Sequence, residues 1–274
     1  MEKAIKRYFP IFVLPTMIAF TLGFIIPFVE GVYLSFCKFT TVNDAKFIGF
    51  ANYAKVFADE TFVHAFWYTA AFTVVSVILI NVLAFAVALL LTKGFKGTNI
   101  FRTVFFMPNL IGGIVLGYIW QLLLNGILMK FSRTLTYSST YGFWGLIILM
   151  CWQQIGYMMI IYIAGIQNIP GELIEAAEID GATKWQILKK VTIPMVMPSI
   201  TVCTFLTLTN SFKLFDQNLA LTNGEPSKMS EMLALNIFNT FYGRTGYEGV
   251  GQAKAVIFFI LVTVIALTQN YLTR

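Results

Sequence analysis

The sequence predicts an all-α integral membrane protein with about six transmembrane helices. Of its 274 residues, 58% are hydrophobic and 12% charged, about half the charged share of a soluble domain. Mean hydropathy is +0.75, and the apolar residues gather into runs near the ~20 residues that a bilayer core requires. Between two late runs lies one strongly charged stretch, "GELIEAAEIDGATKWQILKKVTIPMVMPSI", Gly171 to Ile200. Its purpose decides the function.

Six segments reach or approach spanning length: residues 10–36, 63–91, 103–125, 143–166, 199–222 and 254–272. Lys3, Lys6 and Arg7 precede the first as in a secretory signal. That run is too long for a signal and lacks a small-residue cleavage site, so it reads as an uncleaved span. Pro15 and Pro27 inside it predict a kink or a break.

Orientation follows from lysine and arginine in the loops. With the N-terminus inside, the inner pieces hold Lys3, Lys6, Arg7, Lys93, Lys96, Arg102, Lys184, Lys189, Lys190 and Arg274. The outer loops then hold Lys38, Lys46, Lys55, Lys130, Arg133, Lys228, Arg244 and Lys254. The short loop "LTKGFKGTNIFR" weighs most, with three basic residues and no acid. Both termini read as cytoplasmic, and so does the charged stretch. With no internal repeat or linker visible, residues 1–274 read as a single transmembrane domain.

Several functions are disfavoured. The net charge of +6 reads as anchoring at a membrane surface, because no soluble basic domain exists to hold nucleic acid. Cys37, Cys151 and Cys203 are scattered and imply no disulfide framework or metal spacing. The single histidine, His64, cannot build a metal site alone and reads as interfacial. No phosphate-binding Gly-x-x-x-x-Gly-Lys-Ser/Thr loop and no catalytic motif occurs. An enzyme reading therefore starts poorly.

In the charged stretch, Glu172, Glu175 and Glu178 fall on one side of a helix, with Leu173, Ile174, Ala177 and Gly181 opposite. Pro170 suits the first turn, and glycine at 181 provides a stop. Thr183 and Gln186 then fit a capping box, Lys189 and Lys190 suit a last turn, and Pro194 and Pro198 end the second helix. Lipid-binding surface helices favour basic polar faces. The acidic face instead suits a basic protein partner, with a merely solvated hairpin as the plainer alternative.

The segment "EAAEIDGATKWQILKKVTIP" resembles the EAA loop of ABC importer membrane subunits. Glu175, Ala176, Ala177, Gly181 and Pro194 fall at the pattern's spacing, while Val191 and Ile193 replace its Ile and Leu. Asp180-Gly181-Ala182 is similar to the carbohydrate-uptake branch, of the maltose-transporter kind. "PTMIAFTLGFIIPFVEGVYLSF", "FRTVFFMPNLIGGIVLGYIWQ", "GIQNIPGELIEAA" and "FKLFDQNLALTNGEP" extend the likeness over nearly the whole chain. The resemblance implies a type I importer permease, its EAA loop spanning 167–198, in a bacterial or archaeal plasma membrane. It also implies a second homologous permease, two copies of a cytosolic ATPase, an extracellular solute-binding protein and a carbohydrate substrate. ATP and Mg would be bound by the ATPase, and no cofactor by this chain. Glu175, Ala176, Ala177, Asp180, Gly181, Ala182 and Pro194 would then form the ATPase-coupling element.

Polar residues at membrane depth usually face a cavity or a neighbouring helix. In the fifth run, Asn210, Lys213, Asp216 and Gln217, with the rings of Phe212 and Phe215, form the candidate substrate path. Lys213 and Asp216 could equally form a structural ion pair. Gln153 and Tyr157 join the candidates, with Gln154, Gln121 and Asn125 weaker. Gly113 and Gly117 suit close helix packing. Two alternatives stay open: an importer permease for a non-sugar solute, and a self-sufficient secondary transporter relying on Asp216 and Glu30.

Orientation is testable on a background stripped of the native cysteines. A cysteine replacing Lys96 is expected to resist a membrane-impermeant thiol reagent added to intact cells, while one replacing Lys228 is labelled. External labelling at 96 overturns the topology.

Overall fold

A computed structural model describes residues 2–94 and 96–272. Arg274 and the side chains of Lys3, Lys6 and Arg7 lie outside the described residues. Helices dominate, and the chain divides into two compact units. Among the described residues five helices are long and apolar enough to cross a membrane: Tyr8–Leu34, Glu60–Leu91, Gly113–Phe131, Ser139–Gln167 and Glu248–Gln269. A bent pair, Lys184–Met195 and Met197–Phe212, makes six when taken as one. They are called spans 1 to 6 in chain order, the bent pair being span 5.

The first unit comprises residues 1–62 and 236–261. Helix is assigned without interruption through Pro15, and the expected break becomes a wider turn at Thr21–Ile25, one turn ahead of Pro27. There Ile26 N–H reaches back to the Thr21 carbonyl, which accommodates a proline that has no N–H to give. None of span 1's apolar window is buried within this chain. After it come two antiparallel two-residue strands, Cys37–Lys38 and Lys46–Phe47, and the helix Ala51–Phe57. Buried Asn52 fixes this corner by donating to the carbonyls of Ser35 and Cys37.

An ion pair between a fully buried lysine and a half-buried aspartate is the unit's main polar feature. Lys254, assigned above to an outer loop, lies inside the helix Glu248–Leu272 and is fully buried. Its Nζ donates to Asp59 Oδ2 at 2.7 Å, Asn236 Oδ1 at 2.7 Å and Thr240 Oγ1 at 2.8 Å, and stands 5.2 Å from the Phe62 ring centre. All three ammonium protons therefore have acceptors. A hydropathy scan places the start of span 6 at Lys254 because it reads a charge as an end. The structure starts the helix six residues earlier, because the charge is neutralised by residues distant in sequence.

The second unit comprises residues 63–235 and 262–274. Span 4 is its centre, with 61% of its apolar window buried against 28% or less for spans 1, 2, 3 and 6. Leu146, Leu149, Met150, Met158, Met159 and Tyr162 form its buried stripe, meeting Phe72, Ile80, Ala84 and Ala88 of span 2. Tyr162 donates to Asn81 Oδ1 at 2.7 Å, and Asn81 Nδ2 donates to Thr207 Oγ1 at 2.9 Å. Spans 4, 2 and 5 are thus joined through one half-buried amide.

Two boundaries differ from the hydropathy reading. The run at 103–125 is a helix Thr98–Phe106, a tight turn Met107–Leu110 carrying Pro108, and span 3 beginning at Gly113. The run at 199–222 stops being helical after Phe212, and a short helix Asp216–Leu221 follows. The first break lies in an apolar stretch that hydropathy does not register, whereas the second falls among Asn210, Lys213, Asp216 and Gln217, polar residues that the hydropathy reading absorbed into the span.

The ion pair yields a prediction. Burial would raise the Asp59 carboxyl, but hydrogen bonds from Lys254 and Thr61 outweigh it and hold the group down to about 2 from 3.8. A depressed carboxylate stabilises fully above its unfolded value, and loses that contribution as pH falls through its folded value. The pair should therefore withstand acid to about pH 4 and fail toward pH 2. Lys254→Met should cost about 1–3 kcal/mol, because it leaves the half-buried Asp59 carboxylate without its cation, and Asn236 and Thr240 without their donor. Adding Asp59→Asn should restore most of that loss in thermal denaturation of the detergent-purified protein.

Candidate functional site

The charged stretch forms two short helices. Gly171–Ile179 ends in a closed Schellman turn, with Ala182 N–H on the Ala177 carbonyl at 2.9 Å and Gly181 N–H on the Glu178 carbonyl at 3.0 Å. Gly181 has φ +76, the left-handed geometry this turn demands. The spacing from Ala177 to Gly181 to Ala182 is therefore a backbone requirement. Thr183 then starts the helix Lys184–Ile187 with the expected capping box, its backbone N–H donating to Gln186 Oε1 at 2.7 Å. Pro170 is the N-cap residue, just outside the first turn.

Pro194 does not end the second helix. A wide turn at Leu188–Thr192 absorbs the missing hydrogen bond, and helix resumes at Ile193–Met195. The chain then bends by 69° at buried Val196 into Met197–Phe212. Glu172, Glu175, Glu178 and Asp180 are exposed, as the acidic face requires. The apolar side is only partly covered: Ile174 and Ala177 are half-buried, while Ile179 is 87% and Trp185 68% exposed. Two large apolar side chains thus stand bare on either side of the glycine turn.

The second cluster sits at the break in span 5. Lys213, Leu214 and Phe215 lie between the helices Met197–Phe212 and Asp216–Leu221. A cavity of about 440 Å³ opens there, lined by Met150, Gln154, Asn210, Lys213, Leu214, Phe215, Asp216 and Gln217. Gln217 Nε2 donates to Gln153 Oε1 at 2.8 Å, and Gln154 Oε1 is buried without a hydrogen-bond partner among the described residues. Lys213 is exposed to this space, and Asp216 and Gln217 are half-buried.

Lys213 and Asp216 form no ion pair among the described residues, unlike Lys254 and Asp59. Residues three apart share a face only on a continuous helix, and Phe215, at φ −121 and ψ −62, interrupts this one. Of the other sequence candidates, Gln153 stands behind Gln217, Phe212 is buried, and Tyr157 packs near Phe106. Gln121 donates to the Leu221 carbonyl, Asn125 accepts from Leu135 N–H, and His64 Nε2 lies 3.0 Å from the Met229 carbonyl.

The residue that secures this region is absent from the sequence candidates. Fully buried Asn218 donates to the Ser230 carbonyl at 2.8 Å and Thr222 Oγ1 at 3.0 Å, and accepts from Met232 N–H at 2.9 Å. It folds the loop "TNGEP" over the short helix. A buried amide among apolar neighbours is the only sequence signal of this role, and several other amides share it.

Comparisons with known proteins agree with this architecture. The chain belongs to the family of binding-protein-dependent transport system inner membrane components, whose profile matches residues 80–274. It is a membrane-embedded transport subunit with several spans. A relative in Thermoanaerobacterium thermosulfurigenes, described as a probable starch degradation products transport system permease protein AmyD, is 42% identical over 96% of this chain and 93% of its own. The trehalose/maltose permease protein MalF of Thermococcus litoralis is 28% identical over 91% and 88%. In fold, the chain resembles a subunit of a bacterial ABC transporter involved in alginate import. The TM-score is 0.84, at 23% identity over 99% of this chain and 97% of that one.

Close approach at the cavity's rear wall can be tested. A Cβ on Gly117 would lie 2.5 Å from Ala220 Cβ, and one on Gly113 2.7 Å from Asp216 Cβ, whereas Gly126 on the same span faces open space. Gly117→Val should destabilise by about 1–3 kcal/mol through overpacking. Gly126→Val should cost much less in the same thermal assay. Equal costs would remove the close-packing account.

Proposed function

We propose that the chain is one of two homologous permease subunits of an ATP-driven carbohydrate importer, residues 1–274 acting as one membrane domain. The hairpin around Gly181 docks on one of two cytosolic ATPase copies, which bind ATP and Mg. An extracellular solute-binding protein delivers the sugar, and both termini lie in the cytoplasm of a bacterial or archaeal cell. The observation that carries the coupling role is the bare pair Ile179 and Trp185 beside an acidic face, on a hairpin closed by its own hydrogen bonds. Exposed large apolar side chains rimmed by charge mark an interaction surface. Glu175 meets a basic group of the partner, while Ala176, Ala177, Asp180, Gly181 and Ala182 keep the turn slim, and Pro194 aligns the helix that follows.

Support for a sugar cargo comes from relatives described as carrying starch degradation products and trehalose or maltose. The cavity at the break has matching chemistry. It offers the amides of Asn210, Gln154 and Gln217, one ammonium, one carboxylate and the Phe215 ring. Hydroxyls can donate to the carboxylate and accept from the ammonium, so a neutral polyhydroxylated ligand suits both charges. Non-helical backbone at membrane depth is tolerated where it lines such a cavity.

Ile179→Asp and Glu175→Lys, made in the assembled transporter, should each insert normally yet lower sugar uptake and sugar-stimulated ATP hydrolysis by about tenfold or more, the effect of about 1.4 kcal/mol. Full coupled transport in both variants would reduce the hairpin to a solvated surface feature.

A further inference from the structure

A second polar cavity lies at the end of the second unit from which the hairpin departs. Its volume is about 410 Å³, and Thr92, Gly94, Gly97, Asn99, Arg102 and Gln167 contribute to its walls. Gln167 is the last residue of the span 4 helix, and the docking helix begins four residues later at Gly171. The cavity therefore borders the segment that connects span 4 to the hairpin.

Arg102 is its charged wall. Arg102 is half-buried, with Nε sealed from solvent and without a hydrogen-bond partner among the described residues. No ion pair to Arg102 occurs among those residues. Lys93 and Lys96 stand exposed on the same loop. The sequence contains no aspartate or glutamate between Glu60 and Glu172, so the loop and the helix Thr98–Phe106 carry no acid, and span 2 has one only at its far end, Glu60. A planar fork of donors lining an open polar cavity, with further cations beside it, suits a phosphate oxygen face.

The surroundings indicate the phosphate's source. Leu90 is 56%, Ile100 69% and Val104 57% exposed, so the basic loop is flanked by bare apolar side chains on both adjoining helices. A free inorganic phosphate has no use for that flank, whereas acyl chains cover it. Basic pockets between helices at a membrane's inner face hold anionic headgroups in this manner.

We propose that the Arg102 cavity is a binding site for a phosphate group, supplied by the headgroup of an anionic phospholipid. The site fixes the end of span 4, and with it the root of the hairpin, to the bilayer surface.

The test uses native mass spectrometry of the full-length chain with the subunits that co-purify, titrated with dioleoyl-phosphatidylglycerol and, separately, with inorganic phosphate. Wild type should retain phosphatidylglycerol about tenfold more tightly than Arg102→Gln, as expected for loss of a charge-assisted contact. Arg102→Lys should fall between them, because it keeps the charge but not the fork. The mass of the intact assembly shows in each case that the variant has folded and assembled. Lys130→Gln, at an exposed basic residue elsewhere, should match wild type. Equal phosphatidylglycerol retention by wild type and Arg102→Gln would overturn the site. Arg102-dependent retention of inorganic phosphate without phosphatidylglycerol would overturn the lipid as its source.

Discussion

Backbone amides and carbonyls inside a bilayer have no water to turn to, and this constraint organises the molecule. Long helices satisfy it by default, so what matters is where they stop. Span 5 stops at Phe212, and the released groups lie beside a polar cavity rather than lipid. Span 3 is preceded by a turn at Met107–Leu110, which is held against the span 4 helix. At Pro27 and Pro194 the helix widens by one hydrogen bond and continues. Irregular backbone is thus concentrated where a cavity or a bend uses it.

The same economy governs side chains. Two charged sites contrast: Lys254 is saturated by three oxygen acceptors, whereas Lys213 and Asp216 face a cavity and form no ion pair among the described residues. The first is an anchoring arrangement and belongs to the fold. The second leaves hydrogen-bonding capacity unspent and suits a ligand. Small residues do comparable work for the backbone. Gly156 meets the Phe105 carbonyl so closely that no side chain could stand there, and Gly117 admits Ala220. Interhelical contact in a membrane depends on such packing, because lipid is as apolar as the helix it would replace.

Local signals were legible in the sequence. The Thr183 capping box, the glycine turn at 181 and the acidic face at Glu172, Glu175 and Glu178 are all set within a few residues, and each forms as its spacing dictates. Features that depend on distant partners were hidden. Lys254 looked like a loop charge because Asp59 lies 195 residues away. Lys213 and Asp216 looked like a pair because three-residue spacing shares a face on a continuous helix, and nothing in that spacing marks the break at Phe215. Asn218 resembled other amides until its three partners were in place. Exposure of Ile179 and Trp185 was equally invisible, since an amphipathic pattern implies a covered apolar side without saying by what.

The bend at Val196 has a mechanical consequence. Lys184–Met195 is a twelve-residue arm about 18 Å long, set at 69° to the membrane-crossing part of span 5. Such a crank turns a sideways displacement of its outer end into rotation of the shaft beyond the elbow. For an arm of that length, about 1.5 Å of travel at Trp185 corresponds to roughly 5° of rotation. The shaft ends at Lys213, on the cavity's wall, so a tangential push outside the bilayer reaches the polar lining as a twist.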